Sequence, residues 1–110
     1  GGDAGSLTVE ASSGATITIS GTLSNNGGTG ITGGNGNQID VGSNTEANVT
    51  LTGTAIVRSN GGAANGSGGD ISLDPTGTGG AANPNLDEQT GSVVESVPDG
   101  TGSAGAITRN

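Results

Sequence analysis

The sequence of 110 residues contains no Phe, Trp, Tyr, Met, Cys, His or Lys. Without cysteine and histidine, disulfides, zinc fingers and histidine acid–base catalysis are excluded, and without lysine so are a P-loop lysine and a Schiff base. Ten acidic residues against two arginines give a net charge of −8, which disfavours binding to nucleic acid or anionic membranes. Hydrophobic residues make up only 27% of the chain, so a compact, aromatic-rich core is not expected.

No apolar run approaches the roughly 20 residues of a membrane-spanning helix, and no hydrophobic segment of a signal peptide opens the sequence. We therefore expect no insertion into a membrane. The low apolar content also fits a disordered chain. Whether the few aliphatic residues follow a pattern decides between disorder and a regular fold.

The aliphatic residues alternate with polar ones in short segments bounded by Gly, Asn and Ser. Such segments are Leu7–Val9, Ile17–Ile19, Ile39–Val41, Val49–Leu51 and Ile71–Leu73. A period of two is typical of β-strands with one buried face. Gly and Asn interrupt every window long enough for an amphipathic helix. The sequence therefore predicts an all-β chain of short strands.

These segments recur at a fixed interval. Leu7, Ile39 and Ile71 follow one another at steps of 32 residues, and residues 102–108 repeat residues 2–8. A repeat of roughly 20–50 residues is typical of a solenoid, and disorder gives no reason to keep apolar pairs in register. We predict one β-solenoid segment over the whole chain. Its expected rungs are residues 7–38, 39–70 and 71–104, with the start of a further rung at 105–110.

Each rung is expected to have three strand faces and a Gly/Asn-rich return. In a parallel solenoid each strand bonds to its equivalents about 4.8 Å above and below, so like residues stack in columns. The predicted columns are Leu7/Ile39/Ile71/Ile107, Val9/Val41/Leu73, and Ile17/Val49 followed by Val93 or Val94. Glycine suits the corners and the points of close backbone approach. An antiparallel β-sandwich is the competing fold, but 19 Val, Ile and Leu residues are few for its two-sided core.

Three phrases resemble a known family. Residues 2–9 (GDAGSLTV), 57–62 (VRSNGG) and 66–73 (GSGGDISL) are similar to filamentous-haemagglutinin-type repeats of two-partner-secretion and autotransporter-like exoproteins. The resemblance covers most of residues 1–73 and the last nine residues. It implies a right-handed parallel β-helix displayed outside the cell, as an adhesin or a fibre, and it brings no catalytic motif. Asp74–Pro98 departs from the pattern.

The acidic residues allow a calcium site, because Ca²⁺ takes carboxylate and carbonyl oxygens. Asp70, Asp74, Asp87, Glu88 and Asp99 all lie around the third rung. The alternative is a solvated acidic surface that keeps the chain soluble. Without a histidine or lysine base, Ser and Thr nucleophiles are not activated, so we expect no enzyme. No cofactor is expected apart from calcium.

Two further features concern the surface of the third rung. Asp74–Thr90 is expected to leave the wall as an exposed loop that contacts a neighbouring subunit or Ca²⁺. Asn65, in Asn65-Gly66-Ser67, is the better of two glycosylation sequons because it falls in an expected loop. A glycan or a ligand on a host surface stays open as a partner.

The two ends of the solenoid point to self-assembly. We expect no polar cap at either end, and unpaired strand edges invite pairing with another chain. Leu7, Val9 and Ile107 are the predicted interface residues. The sequence thus predicts an extracellular or cell-surface structural protein, a subunit that stacks head-to-tail into a homopolymer or a segment of a longer β-helix. The alternative is an adhesin module that binds calcium or glycan, which would be a stable monomer.

Overall fold

Residues 1–12, 14–42, 47–73 and 86–109 are described in the computed structural model of the chain. All five alternating segments of the sequence lie in strands, and the described residues contain no helix. The strands are β1 (Leu7–Val9), β2 (Thr16–Ile19), β3 (Thr22–Ser24), β4 (Ile39–Val41), β5 (Asn48–Leu51), β6 (Ile56–Arg58), β7 (Ile71–Leu73), β8 (Leu86–Glu88), β9 (Val93–Glu95) and β10 (Ile107–Arg109).

The strands form three parallel sheets, each made of equivalent strands from successive rungs. The sheet orders are β1-β4-β7-β10, β2-β5-β8 and β3-β6-β9. Leu7 lies beside Ile39, Ile39 beside Ile71, and Ile71 beside Ile107. The chain is therefore a parallel β-solenoid, as the sequence predicts. We call β1, β2 and β3 level 1, β4 to β6 level 2, β7 to β9 level 3, and β10 level 4.

The molecule measures 47 × 27 × 16 Å along its principal axes. Three steps between neighbouring strands, at about 4.8 Å each, span about 14 Å. The solenoid is thus wide and low, and a large part of its core lies within one strand of an end.

Columns of aliphatic side chains fill the space between the three sheets. The two predicted columns that begin at Leu7 and Val9 both form. The strands of level 2 lie between those of levels 1 and 3. Their inward side chains are therefore 0% exposed: Ile39, Val41, Val49, Leu51 and Val57. Burial of this kind stabilises by roughly 1.5–3 kcal/mol per side chain.

The predicted third column is wrong at its last position. Leu86, rather than Val93 or Val94, continues the column of Ile17 and Val49. Val94 belongs to the third sheet, where it stacks on Val57. The misassignment has a physical cause: β8 contains one aliphatic residue, so it shows no alternation and the sequence pattern passes over it.

The expectation that Asp74–Thr90 leaves the wall is wrong for its last part. Strand β8 lies within that stretch and pairs in parallel with β5, with Leu86 partly buried against the core. Residues 74–85 lie outside the described residues. The wall of level 3 is therefore complete in all three sheets.

The return segments, residues 25–38, 59–70 and 96–106, lead from the third sheet back to the first. At many glycines here backbone lies against backbone, and a side chain would not fit. A Cβ on Gly33 would lie 1.9 Å from the carbonyl oxygen of Gly62 in the next rung. Left-handed backbone occurs at wall corners, as at Gly42 with a φ of 78°, and also in the returns, as at Gly100 with a φ of 49°. Both predicted uses of glycine are therefore present.

One column of inward-facing side chains, just after the third sheet, is polar. It consists of Asn25, Ser59 and Ser96, each two residues after the inward aliphatic residue of the third sheet. Ser59 is 0% exposed and its hydroxyl donates to the carbonyl of Asn37 at 2.6 Å. The Ser96 hydroxyl donates to the carbonyl of Gly69 at 2.7 Å. These bonds attach the end of the third sheet to the segment that enters the first sheet at the same level.

Candidate functional site: the two ends of the solenoid

The two ends differ in shape. The N-terminal face consists of the open edges of β1, β2 and β3, all at level 1. The C-terminal face has a step, because β10 extends the first sheet to level 4 while β8 and β9 end the other two sheets at level 3. Strand edges carry backbone N–H and C=O groups directed away from the sheet, so both faces can accept further strands.

The N-terminal face is apolar. Ile17 and Ile19 are 8% and 7% exposed, whereas their column neighbours at level 2 are fully buried. Leu7, Val9 and Leu23 are only partly buried and pack on the core from one side. Among the described residues, the aliphatic columns thus reach this face without a polar residue to close them, as the sequence predicts.

At the C-terminal face, two aliphatic columns end in side chains of opposite charge. Glu88 follows Leu51 in register, and Arg109 follows Leu73. Arg109 Nε donates to Glu88 Oε2 at 2.6 Å, and the two side chains are 44% and 26% exposed. The expectation of no polar cap is therefore wrong for this face. Since the two charges neutralise each other, the cap adds no net charge to the surface.

The three predicted interface residues lie on the two faces. Leu7 and Val9 are in β1 at level 1, and Ile107 is in β10 at level 4. Leu7 and Ile107 occupy the same column, three steps or about 14 Å apart along the stacking direction. Within one chain they do not meet; between two chains stacked in the same orientation they face the same junction.

Two of the acids predicted for calcium accept hydrogen bonds from the backbone of a neighbouring rung. Asp70 Oδ1 accepts from the backbone N–H of Ala106 at 2.8 Å, and Asp99 Oδ2 accepts from that of Asn65 at 3.0 Å. Each of these bonds joins one rung to the next, so both carboxylates support the solenoid.

The remaining predicted ligands are not gathered around one point. Glu88 pairs with Arg109, Asp87 is exposed on β8, and Asp74 lies outside the described residues. Across residues 1–12, 14–42, 47–73 and 86–109, no three acidic side chains are grouped closely enough to hold a metal ion. Calcium binding stays a prediction.

Asn65 is exposed and lies in a turn of the second return segment, with a left-handed φ of 69°. Its Oδ1 accepts from the N–H of Thr101 at 2.9 Å, which ties the side chain to the next rung. Glycosylation at Asn65 stays a prediction as well.

Sequence reasoning missed the Glu88–Arg109 pair and the polar column. The pair is hidden because Glu88 lies in the strand that has no alternation. The polar column had a signal: Leu23, Val57 and Val94 are each followed two residues later by Asn or Ser. Alternation thus continues for one position beyond the strand, with a polar residue in the inward place.

The chain matches no protein-family model, no curated protein and no solved structure in comparisons with each. The resemblance to filamentous-haemagglutinin-type repeats stays a prediction. None of the described residues belongs to a helix that could cross a membrane.

Proposed function

We propose that this chain is a structural building block of an extracellular β-solenoid fibre, a subunit or segment that extends head-to-tail with further copies of itself. It binds no nucleic acid, carries out no catalysis and needs no cofactor. The observation that carries the proposal is the register: three parallel sheets run through the described residues with equivalent strands stacked on one another, and the edge strand of such a sheet can accept a further strand.

The energetics of the ends support this role. Fully buried aliphatic side chains are found at level 2, whereas Leu7 and Leu23 at one end and Val94 and Ile107 at the other are only partly buried. A second copy placed end-on would bury these side chains and pair the backbone edges. In a parallel sheet the two edges are complementary, so strands can be added in one direction without limit.

The geometry also supports a filament rather than a closed dimer. The two faces are different surfaces, so a contact between them is heterologous, and a heterologous contact that does not close a ring produces an open fibre. An extracellular location follows from the resemblance of the repeats to secreted adhesins and fibres.

The test is the state of the purified 110-residue chain as its concentration rises. We expect light scattering and electron microscopy to reveal fibres whose β-strands are spaced about 4.8 Å apart along the fibre axis. Replacing Ile107 with Asp should raise the concentration needed for assembly by about tenfold or more, because a charge then enters the Leu7/Ile107 column. The matched control is Thr108→Asp, on the outward side of the same strand. A folded monomer at millimolar concentration would contradict the proposal and favour a binding module.

A further inference from the structure

Four Asn–Gly steps occur in the sequence, and all of them lie in the return segments. They are Asn26-Gly27, Asn35-Gly36, Asn60-Gly61 and Asn65-Gly66. An Asn–Gly step is chemically labile, because glycine has no side chain to keep its backbone nitrogen away from the amide carbon of the asparagine. The hydrogen bonds of these steps therefore bear on the chemical stability of the chain.

Three of the steps hold a residue of the next rung by two hydrogen bonds at once. The asparagine Oδ1 accepts from the backbone N–H of that residue, and the glycine N–H donates to its carbonyl. Asn26-Gly27 holds Asn60 in this way, and both bonds measure 2.9 Å. We call this arrangement an Asn–Gly clamp.

The other two clamps contain the same pair of bonds. Asn35-Gly36 holds Ser67, and both of its bonds measure 2.8 Å. Asn60-Gly61 holds Val97, through an Oδ1 bond of 2.8 Å and a glycine bond of 2.9 Å. Asn60 is thus held by one clamp and forms another, so the clamps connect three successive return segments.

A clamp engages the two groups that react with each other in deamidation. In that reaction the glycine nitrogen loses its proton and attacks the asparagine Cγ, the Cγ–Nδ2 bond breaks, and ammonia leaves. The product is a five-membered succinimide, which water opens at either carbonyl to give aspartate or isoaspartate. In a clamp a carbonyl oxygen holds the glycine proton, and a backbone N–H in such a bond gives up its proton only when the bond opens.

Burial does not keep water from the clamps, since Asn26 and Asn35 are exposed and Asn60 is only half-buried. The hydrogen bonds to the next rung are the remaining barrier. We propose that Asn26, Asn35 and Asn60 are deamidation sites that react only when neighbouring rungs separate. The proposal does not depend on the proposed function. It identifies a covalent modification that marks chains whose rungs have opened.

The isoaspartate product does not fit the closed return. It adds one carbon to the backbone between the modified residue and its glycine. A Cβ on Gly27 would already lie 1.9 Å from the carbonyl oxygen of Gly34. Aspartate, in contrast, keeps the backbone length and the acceptor oxygen, and Asp3 Oδ1 accepts the equivalent bond from the N–H of Asn35 at 2.7 Å. Isoaspartate therefore opposes renewed closure of the rungs, and aspartate does not.

Mass spectrometry of the chain after incubation in mildly alkaline buffer tests the proposal. Trypsin cleaves after Arg58, which separates Asn26 and Asn35 from Asn60. We expect deamidation at the three clamps to be at least about tenfold slower in the folded chain than in urea. Asn37, which is followed by Gln, is the control and should react far more slowly than the clamps in urea. Equal rates at the clamps in the folded and unfolded chains would overturn the proposal.

Asn65-Gly66 is the matched comparison within the chain, because it is not a clamp. Its Oδ1 accepts from Thr101 of the next rung at 2.9 Å, but the Gly66 N–H donates to Gly62 of its own return at 2.9 Å. Opening of this turn frees the glycine nitrogen without separating the rungs. We expect Asn65 to be protected at least about threefold less than Asn60 in the folded chain. Equal protection of the two would overturn the role of the clamps.

A destabilised variant tests whether separation of the rungs is required. Leu51→Ala should accelerate deamidation of the folded chain about tenfold or more, whereas Ser24→Ala, on the exposed side of β3, should leave the rate unchanged. If Leu51→Ala unfolds at a lower urea concentration but deamidates at the original rate, the clamps react while closed and the proposal is wrong.

Amide hydrogen exchange supplies the same test without a substitution. Because exchange and deamidation both require the glycine proton to be released, the protection of the Gly61 N–H should match the slowing of deamidation at Asn60 within about tenfold. Rapid deamidation at Asn60 beside a well-protected Gly61 N–H would contradict the proposal, whether or not Leu51→Ala folds.

Refolding tests the effect of the product. Chains deamidated in urea contain aspartate and isoaspartate at the same positions, so that each product is the control for the other. After the two forms are separated and the urea is removed, we expect the isoaspartate chains to unfold at a lower urea concentration than the aspartate chains. The same midpoint for both would show that the return accommodates the extra backbone carbon and would overturn this part of the proposal.

Discussion

The wall and the return of each rung are built on opposite principles. In the wall, inward side chains fill the space between three sheets, and Val49, Leu51 and Val57 are fully buried. In the return, two stretches of backbone approach so closely that a single added carbon at Gly33 would meet a carbonyl oxygen at 1.9 Å. The wall is stabilised by buried side-chain volume, whereas the return has no room for a side chain at its closely packed glycines.

The difference explains the composition. A chain that is 27% hydrophobic supplies enough aliphatic residues for the wall only because the return needs none. In the return, stability comes from hydrogen bonds of backbone, hydroxyl and amide groups, such as that of Asn60 N–H to Asn26 Oδ1 at 2.9 Å. We therefore expect a smaller inward side chain to destabilise the wall, and an added side chain at a closely packed glycine to destabilise the return.

The largest effect is expected from removing volume at the centre of the wall. Leu51→Ala leaves a cavity at level 2, which lies between the strands of levels 1 and 3. The substitution should lower the free energy of unfolding by about 2–5 kcal/mol. Denaturant titration followed by far-UV circular dichroism measures this loss, since the chain has no aromatic residue for fluorescence. Leu23→Ala, at the open level 1, is the control and should cost clearly less. Equal losses would contradict the distinction between sealed and open levels.

Adding volume to the return should have the next largest effect. Gly33→Ala brings its methyl group against the backbone of Gly62, which must move, at a cost of about 1–3 kcal/mol. Gly21→Ala is the matched control, because a Cβ there meets no atom within 4 Å. If both glycine variants unfold at the same denaturant concentration, the return is not closely packed.

The smallest effect is expected where wall and return are joined. Ser59→Ala removes the hydroxyl that donates to Asn37 and should lower the free energy of unfolding by about 1 kcal/mol. Ser24→Ala, on the exposed side of β3, provides the comparison and should change stability by less than about 0.5 kcal/mol. Amide hydrogen exchange at Gly69, whose N–H donates to the carbonyl of Ser59, should accelerate in the Ser59 variant alone.

The local sequence pattern was sufficient to predict the stacking of strands wherever the alternation of aliphatic and polar residues agreed with the repeat length. Leu7, Ile39 and Ile71 stand at equal steps and each begins an alternating segment, so their stacking could be predicted from the sequence. A period of two places them on one face, and a constant rung length places them in one column. The parallel fold followed from these two facts.

Tertiary structure alone decided the rest. Leu86 lies in a strand because β8 pairs with the edge of β5, although the sequence of β8 shows no alternation of aliphatic and polar residues. Glu88 and Arg109, 21 residues apart, become an ion pair only because β8 and β10 end neighbouring columns. Periodicity reports what a residue shares with its repeats, and it carries no information on which side chains meet across neighbouring columns.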